Sequence, residues 1–478
     1  MELGAVWFRR DFRLQDHTAL FEAMKWCKKG DRKLVFLFHV NTRFISTSID
    51  LSDQYFFVAL HDFVYQLMND GIIIHLIYGN EEEFVSQVIT RYPTLTTVFF
   101  NEDDVGYGLG RDQRICNLFR NRNVNSYGFQ DAYIHGKEDV LKKDGTLYKV
   151  FTPYYKAWRN QQKPKPLLLD KDEMIKLLYH HEHSQEEEFL KLNEILTSCR
   201  QDFELVGQRK AIDQLELFMK DNVGRYSTLR NLPYINGTSR MSQFLRVGNI
   251  SARMIFQHVI NTPSLIEDER ETFLKELAWR DFYHMIYANV PSMKTEELMS
   301  KYRSIKWNHD VDKFRTWCEG KTGYPIVDAG MRQLNSTGWM HNRLRMITAS
   351  FLVKDYLIDW RLGAEYFSKK LIDYDECINI GSWQWCASVG TDAVPYFRVF
   401  NPITQSKKFD PEGKYIREFM NELKNVETKY IHQPWKMNEM EQTSNGCIIG
   451  KDYPYPTVEH KEQRKKAIRM FEEVGEMK

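Results

Sequence analysis

Leu34–Val40 reads LVFLFHV, a short run rich in aliphatic and aromatic side chains and apolar on both faces. A strand with one wet face alternates polar and apolar residues, whereas this run reads as buried on both sides, the habit of parallel strands covered by helices. Four more runs of the same kind surround it: Ala5–Phe8, Ile72–Ile77, Thr97–Asn101 and Val124–Phe129. Between them the pattern predicts helices over Leu51–Asn69, opening after Asp50 and closing at Asp70-Gly71, and over Glu81–Arg91. Alternating strand and helix predict a Rossmann-like α/β domain with a parallel sheet over residues 1–130. The glycine-rich fingerprint of a dinucleotide site is absent: WFRRDFRL follows the first strand, and Gly106, Gly108 and Gly110 follow the fourth with the wrong spacing. A nicotinamide dehydrogenase is thereby disfavoured.

Residues 131–205 lack strand periodicity, contain QQKPKP, and read as a long connector. His180, His181 and His183 lie in the polar stretch YHHEHSQEEEF and read as a solvated loop rather than metal ligands. From Leu190 the pattern turns helical, through Leu192, Ile195, Leu196, Ala211, Leu215 and Phe218. Residues 206–478 are expected to form an all-helical second domain.

Over 478 residues, 66 Lys and Arg stand against 65 Asp and Glu, so bulk positive charge does not drive nucleic-acid binding. The charge is nonetheless uneven. Residues 222–258 hold five arginines and no acid, and residues 329–354 hold Arg332, Arg343, Arg345 and Lys354 with no acid. Eight of the 11 tryptophans fall in the helical half. Arginines among aromatics suit stacked bases and phosphates, and ordinary helix packing explains the same pattern. The seven cysteines are scattered with no CxxC pair, which predicts neither a disulfide framework nor a zinc site and favours the cytoplasm. The N-terminus does not read as a signal peptide, and no apolar window is long enough to span a membrane. Monomer is the default oligomeric state.

Four segments carry chemistry. GTSRMS (Gly237–Ser242) supplies hydroxyls, a guanidinium and backbone amides before a helical stretch, either a phosphate cradle or only a helix cap. LAWRDFY (Leu277–Tyr283), GWMHNRLRM (Gly338–Met346) and LIDYDECINIGSWQW (Leu371–Trp385) mix Trp, Arg, Asp and Asn into apolar helices, where unpaired polar groups are costly.

With VWFRRDFRLQDHTAL, YKVFTPYYKAW, EGKTGYPIVDAGMRQLNSTGWMHNRLRMITASFLVKDYLIDWR, WQWCASVGTDAVPYFRVFNP and YPTVEHKEQR in order, the chain resembles the DNA photolyase/cryptochrome family over nearly its whole length. His341-Asn342 and Met346 align it with the class I cyclobutane pyrimidine dimer photolyases, whereas six-four photolyases carry a His pair nearby. The resemblance implies light-driven electron transfer from reduced FAD to a pyrimidine dimer flipped out of damaged DNA, an enzymatic carbon–carbon lyase reaction. It implies FAD contacts at Tyr226, Thr238, Ser239, Arg240, Met241, Ser242, Arg280, Asn342, Arg345, Asp373, Asp375 and Asn379, the last facing the flavin N5. Individual roles have plain structural counterparts: Asp375 as a helix cap, Tyr226 as core.

Glu276 and Asn342 match the family's polar contacts to the lesion, and Trp279, Trp385 and Met346 its apolar walls; Glu276, Asn342, Met346 and Asn379 are the implied catalytic set. Arg230, Arg343, Arg398 and Lys408 match its phosphate grips. Trp383, Trp360 and Trp307 match an electron relay that photoreduces oxidised FAD. The chain departs from many relatives in Glu376-Cys377-Ile378 and in Ser382, positions near the flavin-facing helix. Val105 stands where pterin-binding relatives carry a glutamate. The resemblance leaves three alternatives open: Asn101 and Glu102 in its place, an antenna of flavin type rather than reduced folate, or no antenna. The alternative function is a cryptochrome-like blue-light photoreceptor, against which Glu276, Asn342, Met346 and the absence of a long tail all weigh.

Overall fold

The structure, a computed structural model, describes residues 1–45, 49–180, 186–200 and 202–476. Strand β1 (Glu2–Phe8) pairs in parallel with β2 (Arg32–Asn41) on one side and β4 (Leu95–Asn101) on the other. Beyond them lie β3 (Ile74–Gly79) and β5 (Asn125–Phe129), giving the order β3-β2-β1-β4-β5. Register places Val6 opposite both Phe36 and Phe99. One face buries Ala5, Trp7, Val35, Leu37, Val98 and Phe100 against Phe84, Val88, Ile115 and Phe119. On the other, Phe8 packs on Phe36 and Phe63, with ring centroids 5.0 and 5.3 Å away. Helices on both faces explain why the strands are apolar on both.

The helices predicted between strands form over the expected residues: α2 (Leu51–Asn69) and α3 (Glu81–Arg91), with α1 (Thr18–Cys27) and α4 (Gly106–Arg120) completing the crossovers. Asp50 caps α2 by position, and α3 opens on a full capping box between Asn80 and Glu83. Gly106, Gly108 and Gly110 form the first turns of α4; a Cβ on Gly108 would come within 2.3 Å of the Asp103 side chain. Close packing, rather than a phosphate, is what this glycine serves.

Where a dinucleotide fold would carry its glycine loop, this chain places buried charge. Asp16 adopts a left-handed conformation at φ 51. Its carboxylate receives Arg253 Nε at 3.1 Å, the Leu167 amide at 2.7 Å and the Ser251 hydroxyl. Asp131 receives Arg253 Nη2 at 2.7 Å, Thr18 Oγ1 at 2.6 Å and the Arg13 guanidinium. All four charged side chains are buried. Burial alone would raise the Asp131 carboxyl, but the two arginines hold it far below its ordinary value.

The chain divides into two units. The first comprises residues 1–147, 154–223 and 239–291; the second comprises 148–153, 224–238 and 292–478. In the stretch read as a connector the structure places the helices Phe151–Asn160, Lys171–Leu177 and Glu186–Leu196. Leu192, Ile195 and Leu196 are buried there, whereas Leu190 faces solvent. His180 is exposed, and His181 and His183 lie outside the described residues. After β5 the described residues contain helices, turns and isolated bridges but no strand, the fold expected for the C-terminal half.

In the second unit the helix Asn342–Ser350 runs into a π-helical turn, Phe351–Asp355, two of whose side chains hold the C-terminal helix His460–Glu476. Lys354 Nζ lies 2.9 Å from Ser388 Oγ and 3.8 Å from the Phe471 ring centroid, and Asp355 pairs with His460 at 2.6 Å. Burial pushes the Lys354 ammonium down from its ordinary 10.5 to about 7.

Two outcomes follow. Asp131→Ala, which strands two buried guanidinium groups, lowers unfolding stability by about 3–5 kcal/mol in urea titrations. Between pH about 7 and 10.5 the unfolded chain binds a proton at Lys354 that the folded chain has released, so stability rises with pH across that window. Lys354→Met flattens that slope in melts run from pH 7 to 10; a slope unchanged from the parent protein would contradict the burial argument.

Candidate functional site

In the first unit, Ser239, Arg240, Met241 and Ser242 lead into the helix Met241–Val247. Arg240 is left-handed at φ 58, a conformation costly for a side chain larger than glycine and often kept at functional sites. Ser239 is tied at both ends: its carbonyl accepts from Gln214 Nε2 at 3.3 Å, and its hydroxyl accepts from the Met241 amide at 3.4 Å. The N-cap position of this helix is Arg240, whose side chain makes no capping bond. The segment also offers the Ser242 hydroxyl, a guanidinium and start-of-helix amides, a donor set suited to an anion.

The helix Glu267–Asn289 places Glu276, Trp279, Arg280 and Tyr283 three and four residues apart, on one face. Glu276, Trp279 and Arg280 are half-buried. Arg280 donates to the Ala132 carbonyl at 2.6 Å and lies 4.2 Å from the centre of the Tyr133 ring, while Trp279 packs on Phe282 and Tyr283. The helix is fixed by Asp281, a buried carboxylate accepting the His135 amide at 3.0 Å and the Trp158 indole at 2.8 Å.

In the second unit, His341 caps the helix Asn342–Ser350, accepting the Arg343 amide at 3.1 Å, and Asn342 stands exposed at its first position. Arg343 donates to Asn231 Oδ1 at 2.5 Å, lies 4.4 Å from the Phe409 ring centre and reaches the Met346 sulfur at 3.7 Å, so Arg343 and Met346 belong to one cluster. Arg345 Nη2 pairs with Asp373 Oδ2 at 2.8 Å, and its Nε donates to the Met340 carbonyl at 2.8 Å. Asp375 caps the helix Glu376–Cys386, accepting the Ile378 amide at 3.1 Å. Asn379, buried, donates its amide to the Ala364 carbonyl at 3.0 Å, which fixes the orientation of its remaining polar atoms. Tyr226 is core, as its plain reading had it, with the Arg230 guanidinium 5.4 Å from its ring centre. Thr238 is half-buried, Trp385 is half-buried on the helix Glu376–Cys386, and Arg398 and Lys408 are exposed.

The three tryptophans are buried in a connected arrangement. Trp360 opens the helix Trp360–Lys370, and the Trp383 ring lies against that helix at Gly363, where a Cβ would come within 2.1 Å of it. Trp360 and Trp307 both direct their indole N–H groups at Glu297 Oε1, at 3.4 and 3.2 Å. Glu297 has no sequence signal; it stands ten positions before Trp307.

The structure corrects the reading of the two basic stretches. Arg253 is spent on Asp16 and Asp131, Arg332 pairs with Glu422 at 2.7 Å, Arg345 pairs with Asp373, and Lys354 is buried. A charge tally along the chain does not reveal which cations have internal partners, so the surface available to phosphates is narrower than the tally implied. Asn101 is likewise committed: its side chain donates to Asp11 at 2.8 Å and accepts the Ala19 amide at 2.9 Å, and Val105 precedes α4. Among the described residues no cluster of His, Cys, Asp and Glu is arranged to hold a metal.

Comparison with known proteins bears on both units. Residues 5–170 match the family described as DNA photolyase, and residues 273–473 match the FAD binding domain of DNA photolyase. A deoxyribodipyrimidine photo-lyase of Alkalihalophilus pseudofirmus is 46% identical over 469 residues, covering 98% of each chain. Solved structures that superpose include a bacterial class III photolyase from Agrobacterium tumefaciens, with TM-score 0.87, 30% identity and coverage of 100% of this chain and 98% of that one. A Synechocystis cryptochrome superposes with TM-score 0.86 and 26% identity, covering 98% of this chain and 99% of its own.

Proposed function

This chain belongs to the DNA photolyase family, and from that membership we propose that it repairs cyclobutane pyrimidine dimers in DNA under light, with FAD as its cofactor. The observation that carries the reading is the 46% identity to a deoxyribodipyrimidine photo-lyase along nearly the whole of both chains. The residues fit the flavin by their donor chemistry. Hydroxyls of Thr238, Ser239 and Ser242, start-of-helix amides and the guanidinium group of Arg240 suit an anionic diphosphate, and Arg280 is a proposed contact nearer the flavin and adenine rings. Asn379, a neutral amide held by Ala364, suits a ring nitrogen whose protonation changes with redox state. Tyr226, Met241, Asn342, Arg345, Asp373 and Asp375 are the remaining proposed contacts. Bound FAD supplies a light-driven loan of one electron to the dimer, returned after the ring opens.

The side chains of this protein do the rest. Glu276 and Asn342 are proposed to hydrogen-bond the lesion bases, with Trp279, Met346 and Trp385 as the apolar surfaces that exclude water from it. Arg230, Arg343, Arg398 and Lys408 are proposed to neutralise phosphates; the exposure of Arg398 and Lys408 supports this, and each contact adds salt-dependent affinity. Trp383, Trp360 and Trp307 are proposed as the electron relay, and their burial in one connected arrangement supports it. The proposed setting is the cytoplasm, supported by seven free cysteines, and the proposed working form is a monomer without an obligate protein partner. No helix among the described residues is long and apolar enough to cross a membrane.

The cryptochrome superposition favours one competing reading, a blue-light photoreceptor. Illuminating the FAD-loaded, reduced protein with a dimer-containing oligonucleotide separates the two: repair restores thymine absorbance only in the light. No light-dependent recovery in protein with intact flavin absorbance leaves the photoreceptor. Trp383→Phe is expected to lose light-driven reduction of oxidised FAD while chemically reduced enzyme still repairs; equal loss of both removes Trp383 from the relay.

A further inference from the structure

Glu297 lies in irregular chain between two short turns, Pro291–Lys294 and Ser300–Tyr302, and its side chain is buried. One oxygen, Oε1, accepts both the Trp307 indole at 3.2 Å and the Trp360 indole at 3.4 Å. The other, Oε2, accepts Arg361 Nη2 at 2.8 Å. Arg361 in turn bonds Asp359 Oδ1 at 3.0 Å and the Thr295 carbonyl at 2.7 Å. A buried carboxylate is costly unless its oxygens are satisfied. Here a guanidinium satisfies one oxygen, and two aromatic N–H groups satisfy the other. Burial alone would raise the Glu297 carboxyl, but hydrogen bonds from Arg361 and Trp307 outweigh it and hold the group below its ordinary value. At neutral pH the group is an anion.

An anion shared by two indoles has a consequence for electron transfer. An indole that gives up an electron is left with a positive charge, and a negative charge within hydrogen-bond distance of its nitrogen stabilises that charge strongly in a water-poor interior. We propose that Glu297 is a positioning residue that stabilises the positive hole on Trp307, fixing the Trp307 and Trp360 indoles through one oxygen and delaying return of the electron. The inference rests on the relay proposed above and deepens it.

The step is a one-electron transfer without proton movement. One indole is oxidised, the electron passes along the relay to oxidised flavin, and an external thiol later refills the hole. Within the pair the hole is assigned to Trp307, whose indole is the nearer to Oε1, because the Arg361 guanidinium lies 4.8 Å from the centre of the Trp360 ring and opposes a positive charge there.

Glu297→Gln tests this. The amide keeps an acceptor for one indole and loses the charge, while Arg361 keeps Asp359 as a partner. In the flavin-loaded protein, flash spectroscopy of the oxidised indole is expected to show its signal decaying on the order of tenfold faster than in the parent. Glu297→Asp restores the charge and is expected to recover part of the lifetime. Independently of the flavin, indole N–H resonances of Trp307 and Trp360 are expected to shift together in Glu297→Gln, with the thermal midpoint reporting whether the variant is folded. An unchanged lifetime in folded Glu297→Gln, or the same loss in Glu297→Asp, overturns the inference. If Trp383→Phe retains light-driven flavin reduction, the relay itself fails. Loss in Trp383→Phe with a normal lifetime in Glu297→Gln removes only the role of Glu297.

Discussion

Four charged side chains with almost no access to water, Arg13, Asp16, Asp131 and Arg253, form the constraint on which the first unit depends. They link the loop after β1, the loop after β5 and the helix Ala252–Ile260, parts of the chain up to 237 residues apart. Such a quartet adds little net stability over an apolar substitute of the same shape, because desolvation offsets most of the attraction. Its effect is selective. Any alternative packing that separates one member leaves an unpaired buried charge. That costs about 3–5 kcal/mol, comparable with the burial of one or two large apolar side chains.

The same logic recurs in the second unit with a different use. Arg345 and Asp373, and Glu297 beneath Arg361, are charges held in the interior by specific partners. A protein that works by electron transfer gains from such placement. Where chemistry proceeds by electron transfer, what the polypeptide controls is the electrostatic environment of the rings and the exclusion of water around them. Near-neutral total charge is thus compatible with a chain full of locally strong fields. Many of its cations are consumed inside.

Much of this was legible in the sequence. The five strands could be read because burial on both faces erases the alternation of a surface strand, and α2 and α3 because Asp50, Asn80 and Asp70-Gly71 punctuate them. The candidate flavin and lesion residues were legible as polar side chains set into apolar helices, once their motifs were matched to a family. The destination of individual charges was not legible. Arg253 and Arg343 sit in similar basic surroundings in the sequence, yet the first is sealed against two aspartates and the second bonds Asn231 and stacks on Phe409. The fate of each depends on residues more than 100 positions away, beyond the reach of any local pattern.

By itself the sequence determined the class of fold, the order of its elements, the absence of a dinucleotide fingerprint and the family. Each of these is written in local periodicity, punctuation and motif. Only the tertiary structure decided which buried charges are paired, that Asp375 acts as a cap, that Asn101 is already engaged, and that two tryptophans share one carboxylate oxygen. The physical reason is common to all of them. Hydrogen bonding and ion pairing act over about 3 Å in space, and folding brings within that range side chains that the sequence keeps far apart.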